Sequence, residues 1–111
     1  DLGCGNPAVR IKKESKRNKG LLYMGIDISQ PDTSIHGNVE YVKGKVDDVL
    51  SCMQDHSISI INSDFFLTDV IREYSMKVME LITHKLEEKG KLYIGLRREC
   101  THYITELLDK N

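Results

Sequence analysis

The residues best suited to binding a ligand are Gly3, Gly5 and Asp27. Both glycines lie in the opening stretch Asp-Leu-Gly-Cys-Gly-Asn-Pro, which reads as the end of a buried strand that turns into a helix. Glycine allows backbone angles and close approaches that a Cβ would block, so a ligand can lie directly against such a turn. Asp27 follows about 20 residues later, where the acid of an open α/β sheet accepts hydrogen bonds from a ribose diol. The alternative for Asp27 is an exposed strand end or a helix cap, and the pairing with the glycine turn favours the ribose role.

The spacing of the glycines does not by itself identify the ligand. Gly3, Gly5 and Ala8 also satisfy the G-x-G-x-x-G/A pattern of dinucleotide-binding folds. Two neighbours disfavour a pyrophosphate: the carboxylate of Asp1 would repel it, and Pro7 lacks an N–H that a helix start would otherwise offer. These features favour a zwitterionic or cationic ligand.

The same residues resemble a known family. Asp1-Leu2-Gly3-Cys4-Gly5 is similar to motif I of the class I S-adenosylmethionine-dependent methyltransferases, and the run from Tyr23 to Ser29 resembles their motif II. The resemblance implies that Asp1, Gly3, Cys4 and Gly5 contact S-adenosylmethionine, that Asp27 binds its ribose hydroxyls and that Ile28 packs on its adenine. Pro7 stands where the family commonly has a third glycine.

Two more candidate contacts follow the third predicted strand. Similar family members carry an acid directly after a glycine, followed by a small apolar residue, and here Lys45 and Val46 follow Gly44. Asp47 could replace the missing acid, or it could cap the next helix.

Asn62 ends the fourth predicted strand. The carboxyl ends of parallel strands share one crevice, so Asn62 is predicted to face the same ligand as Gly5 and Asp27. Asn62 with Phe65 partly resembles the Asn-Pro-Pro-Tyr motif of amino-group methyltransferases, although both prolines are missing.

These residues require alternating strands and helices. The predicted fold is α/β, an open parallel sheet with helices on both faces in the methyltransferase order 3-2-1-4-5, lacking the family's terminal strands. After the opening strand, the sequence predicts strands at 21–28, 39–43, 57–62 and 91–96, helices at 6–19, 68–88 and 101–110, and at most a short helix within 30–38. Gly20 and Gly90 are predicted to end helices. The predicted core stripe of the long helix is Ile71, Tyr74, Val78, Leu81 and Ile82, widened by Met76 and Met79.

Composition narrows the class of protein. The 111 residues predict one domain, 1–111, with 40% hydrophobic residues, a net charge of −1 and three cysteines without close pairing. These features favour a reduced, cytoplasmic protein without a disulfide framework, and no run is apolar enough to span a membrane. None of the four histidines lies at metal-ligand spacing. The start at Asp1 and the missing terminal strands suggest a fragment.

The first predicted helix is strongly basic, with six lysines and arginines between Arg10 and Lys19 and one acid, Glu14. It could be a patch for RNA or another polyanion, but a solvated helix face is the preferred interpretation. The sequence therefore predicts an S-adenosylmethionine-dependent methyltransferase that acts on an unidentified acceptor. A nicotinamide-dependent oxidoreductase and a degenerate Rossmann-like scaffold, with or without RNA, remain as alternatives.

Overall fold

The computed structural model describes residues 1–64 and 66–95. They form an α/β protein whose chain divides into two compact units between Val49 and Leu50. The predicted helix at 101–110 lies outside the described residues. The elements in chain order are α1 (Val9–Arg17), β1 (Tyr23–Asp27), β2 (Ser34–His36), β3 (Val39–Lys43), α2 (Val46–Ser51), β4 (Ile58–Ser63), α3 (Phe66–Asp69), α4 (Arg72–Lys85) and β5 (Leu86–Ile94).

The sheet of the first unit has the order β1-β3-β2. β1 pairs with β3 in parallel, from Tyr23 opposite Val39 to Asp27 opposite Lys43, as the apolar runs predicted. The short strand β2 pairs with β3 in antiparallel fashion, in a stretch for which the sequence predicted at most a short helix and no strand. On the other side of β1, Leu2 forms a parallel bridge to Ile26.

The second sheet contains β4 and β5, paired in parallel with a register shift between Ile58 and Ile60. The described strands therefore form two sheets, and the predicted single sheet in the order 3-2-1-4-5 is wrong for this chain. That order needs a central strand that pairs on both sides. In the described residues, the segment ahead of the glycine turn forms one parallel bridge, between Leu2 and Ile26 of β1.

Helix α1 is shorter than predicted. It begins at Val9 with Ala8 as its N-cap, so Asn6 and Pro7, which were predicted to lie within the helix, precede it. It ends at Arg17, three residues before Gly20, because the backbone of Asn18 leaves the helical conformation, with φ −133° and ψ 84°. The side-chain amide of Asn38 donates to the carbonyls of Ser15, Asn18 and Leu21 at 3.2, 3.3 and 3.0 Å, which satisfies the backbone where the helix ends.

The long helix predicted at 68–88 is two helices, α3 and α4, separated by the extended residue Ile71. The Ser75 hydroxyl fixes this break by donating to the Leu67 carbonyl, which a continuous helix would pair with the Ile71 N–H. The Ser63 hydroxyl accepts the Leu67 N–H and so caps the start of α3. Leu86 turns extended directly after α4, so Gly90 lies within β5 and ends no helix.

Each unit buries its own apolar side chains. In the first unit Ala8, Ile11, Val39 and Tyr41 form a cluster against which Cys4 and Tyr23 pack. In the second unit the α4 stripe is buried at Val78, Met79 and Ile82, whereas Ile71 is 71% exposed, contrary to its predicted core position. Leu22 and Ile28, predicted as parts of a fully buried strand, flank β1 and are 92% and 70% exposed. Within the described residues, no helix combines the length and apolarity needed to cross a membrane.

Candidate functional site

The glycine turn is tied to the last residues of β1. The Asp1 carbonyl accepts from the Ile26 N–H at 3.0 Å, and the N–H groups of Gly3 and Cys4 both donate to the Ile26 carbonyl at 2.8 and 3.1 Å. Gly3 and Gly5 have φ values of 65° and 81°, in the left-handed region that favours glycine. The chain can therefore leave the strand sharply and bring its backbone against the end of β1.

Asp27 closes this turn through its side chain. One carboxylate oxygen, Oδ2, accepts the Gly5 N–H at 2.8 Å. The other, Oδ1, accepts both the N–H and the hydroxyl of Ser29, at 2.8 and 2.6 Å. The structure thus brings together the two features that the sequence singled out, and it joins them by a direct hydrogen bond.

These donors hold Asp27 in its ionised form. Burial of the carboxyl group opposes ionisation, but the hydrogen bonds from Ser29 and Gly5 outweigh it, so the pKa of Asp27 lies below its ordinary value. At neutral pH the end of β1 therefore carries a negative charge beside the glycine turn.

The carboxylate retains some capacity for a ligand. A carboxylate has about four acceptor positions, and the Gly5 and Ser29 donors use three of them. Rotation of the exposed Ser29 hydroxyl would release a second position, which makes two available for the paired hydroxyls of a diol. Ile28, with 70% of its surface exposed, follows Asp27 and offers an apolar surface beside these oxygens.

Cys4 is a packing residue of the turn. It packs against the first unit's core, and a Cβ added at Gly25 would meet its Sγ at 2.9 Å. Burial and, secondarily, the nearby charge of Asp27 raise the pKa of the Cys4 thiol. Cys4 therefore shapes the turn and is unsuited to act as a nucleophile at neutral pH.

Sequence reasoning missed three side chains that fasten the turn to the segment after β1. Ser29 holds Asp27, the Gln30 amide donates to the Gly5 carbonyl, and the Asn6 amide donates to the Ser29 carbonyl at 3.1 Å. Gln30 is buried with only 7% of its surface exposed. Ser29 and Gln30 could have been identified by their place just after the acid of β1, where a polar side chain can reach back to the turn. Asn6 could have been identified by its place within the turn.

The remaining predicted contacts are less available or belong to the other unit. Val46 and Asp47 start α2 and are buried at 3% and 7% exposure, so little of either side chain faces solvent. Lys45 precedes them and its carbonyl accepts the Val49 N–H. Asn62 lies in β4 of the second unit, where its amide reaches the Asp64 carboxylate at 3.4 Å.

The groups at the glycine turn and the end of β1 are suited to binding a ligand. Within residues 1–64 and 66–95 no three His, Cys, Asp or Glu side chains are grouped to hold a metal ion. The glycine turn with little side-chain bulk, the ionised Asp27 and the exposed Ile28 suit a ligand that carries a sugar diol, a planar apolar base and positive charge.

A scan against models of protein families finds no match for the chain, and a search among curated proteins finds no match either.

Proposed function

We propose that the first unit binds S-adenosylmethionine and that the protein transfers its methyl group to an acceptor. The observation that carries this proposal is the hydrogen bond between the Gly5 N–H and Asp27 Oδ2. It places an ionised acid at the end of a parallel strand directly beside a turn with little side-chain bulk. That arrangement suits a nucleoside whose ribose binds the acid while its charged tail lies along the glycines.

The residues present fit this cofactor in three respects. Asp27 has acceptor capacity for ribose hydroxyls, and its negative charge attracts the sulfonium and ammonium groups. Ile28 offers an exposed apolar surface for the adenine. A Cβ built at Gly5 would still lie 3.6 Å from its nearest neighbour, the Pro7 carbonyl oxygen, so the backbone face of the turn is uncrowded.

The role of this chain in the reaction is to bind and orient. The bound cofactor supplies an electrophilic methyl group on a positively charged sulfur. Asp27 and the glycine turn would fix the nucleoside, because an acceptor must approach in line at about 3 Å for transfer to proceed. Alignment of this kind lowers the barrier without a protein base when the acceptor is already nucleophilic.

Calorimetric titration of S-adenosylhomocysteine and, separately, of NADH tests the proposal. We expect the first ligand to bind and the second not to bind, because the carboxylate of Asp1 disfavours a pyrophosphate. Asp27→Ala should weaken the binding of S-adenosylhomocysteine by about tenfold or more, since hydrogen bonds to a charged group contribute about 1.5–3 kcal/mol. Asp32→Ala, which removes an exposed acid of the same unit, should leave the affinity unchanged.

The two ligands and the two variants separate the outcomes. Binding of NADH instead would support an oxidoreductase, and binding of neither ligand would contradict the methyltransferase proposal. Far-UV circular dichroism of each variant shows whether a lost affinity reflects a lost contact or an unfolded chain. An equal loss of affinity in both variants would contradict the assigned role of Asp27.

A further inference from the structure

The exposed side of α1 concentrates positive charge. All six basic side chains of this segment are exposed: Arg10, Lys12, Lys13, Lys16, Arg17 and Lys19. Glu14 is the single acid among them, whereas the whole chain has a net charge of −1. The charge is therefore local to one helix and its end, and the rest of the chain more than balances it.

Helical spacing arranges these cations in a row. Arg10, Lys13 and Arg17 follow one another at steps of three and four residues, so they lie along one side of α1 over about 10 Å. Lys16 lies next to this row. The buried residues of the helix, Ile11 and Ser15, occupy the opposite side.

The row is held in place by the rest of the unit. Ile11 packs in the core cluster with Val39 and Tyr41, and the Asn38 amide fastens the end of α1 through the carbonyls of Ser15, Asn18 and Leu21. A row of cations on a fixed backbone loses less conformational entropy on binding than the same charges on a flexible segment.

We propose that this row binds the phosphate backbone of a nucleic acid. A membrane surface is disfavoured, because an interfacial helix must expose an apolar face and α1 buries its apolar side in the unit, leaving Val9 as the exposed apolar side chain of the helix. Lysine and arginine at these spacings instead match a chain of regularly spaced phosphates. Contacts to phosphate carry no base recognition, so sequence preference is not expected.

The proposal predicts a defined dependence on salt. Each phosphate contact to a single strand contributes about −0.7 to the slope of log K against log salt concentration. Four contacts, from the row and Lys16, give a slope of about −2.8. The affinity should then fall about 50-fold between 50 and 200 mM salt.

Fluorescence anisotropy of labelled 20-nucleotide strands provides the test, with single-stranded RNA, single-stranded DNA and duplex DNA as separate arms. We compare the parent chain with Lys13→Gln/Arg17→Gln, which should lower the magnitude of the slope by about 1.4 for single strands and by about 1.8 for duplex DNA, in each arm that binds. The matched control, Lys89→Gln/Lys91→Gln, removes two exposed charges from β5 of the second unit and should leave the slope unchanged. Lys13→Arg/Arg17→Lys keeps both charges and should retain binding.

Three results would overturn the proposal. One is the absence of salt-dependent binding in all three arms, and another is an equal loss in the control variant, which would mean that the charge acts diffusely. The third is equal binding to polyglutamate or to anionic vesicles, which would mean that the row does not select nucleic acid. Asp27→Ala should retain nucleic-acid binding, so this test does not depend on the cofactor proposal.

Discussion

Replacement of Asp27 by asparagine tests whether the carboxylate holds the glycine turn. Asparagine keeps the size of the side chain but has one acceptor oxygen and one NH2 group. In the parent chain both carboxylate oxygens face donors: Oδ2 accepts the Gly5 N–H, and Oδ1 accepts the N–H and the hydroxyl of Ser29. Whichever way the amide is turned, its NH2 group therefore meets at least one N–H donor and one hydrogen bond is lost.

The expected loss follows from the kind of bond removed. A hydrogen bond to a charged group contributes about 1.5–3 kcal/mol when it is well shielded from water. Asp27 is only partly buried, which reduces this figure, so we expect Asp27→Asn to lower the free energy of unfolding of the first unit by about 1–2 kcal/mol. Asp32→Asn, at an exposed site, should change it by less than about 0.5 kcal/mol.

The dependence on pH follows from the lowered pKa of Asp27. Its carboxyl group ionises more readily in the folded than in the unfolded chain, where its pKa is about 3.9. The stabilisation is therefore complete above about pH 5 and is lost as the pH falls through the folded-state pKa. The difference between the parent and Asp27→Asn should shrink accordingly below about pH 4.

Amide hydrogen exchange gives a local measurement of this effect. The Gly5 N–H donates to Asp27 in the parent, so its exchange at neutral pH should accelerate about 5–30-fold in Asp27→Asn, as expected for 1–2 kcal/mol. Urea denaturation followed by circular dichroism gives the global value. Equal Gly5 protection in parent and variant, or a stability difference that persists unchanged at pH 2.5, would show that the Asp27 carboxylate does not hold the glycine turn.

Two further substitutions each test one contact, a steric contact in the first unit and a hydrogen bond in the second. Gly25→Ala would put a Cβ 2.9 Å from the Cys4 Sγ and 3.3 Å from Ile11, and should lower the free energy of unfolding, measured by urea denaturation, by about 1–3 kcal/mol. Adding Cys4→Ala to this variant should recover part of the lost stability. If it recovers none, the assigned clash is contradicted. In the second unit Lys85→Met removes the buried ammonium group that donates to the Met53 carbonyl at 2.6 Å, and should cost about 1–2 kcal/mol. Unchanged stability of this variant in the same assay would mean that water replaces the ammonium group.

The part of the site that the sequence predicted rests on local signals. The glycine turn, the apolar run before Asp27 and the strand at Val39–Lys43 are each evident within a few residues, and the structure brings the turn and the acid together. The parallel pairing of β1 with β3 follows from the same pattern. What the site binds stays a prediction, because the same geometry suits any nucleoside with a free diol.

The predictions of helix bounds are wrong where side-chain hydrogen bonds to the backbone determine the end or the break of a helix. The end of α1 depends on Asn38, which lies 20 residues beyond Asn18 in the chain. The break between α3 and α4 depends on the Ser75 hydroxyl, which binds the Leu67 carbonyl that a continuous helix would pair internally. Helical periodicity and capping patterns do not contain these contacts, so they predict one long helix and the wrong end points.

Charge separates the two proposed binding surfaces of the first unit. The end of β1 carries the ionised Asp27, which attracts a sulfonium and repels phosphate, whereas the row on α1 does the opposite. A polyanion therefore gains nothing at the glycine turn, and a cationic cofactor gains nothing on the helix. Both surfaces are nevertheless fixed by the same short segment, because α1 follows the turn within a few residues and packs on the sheet that holds Asp27.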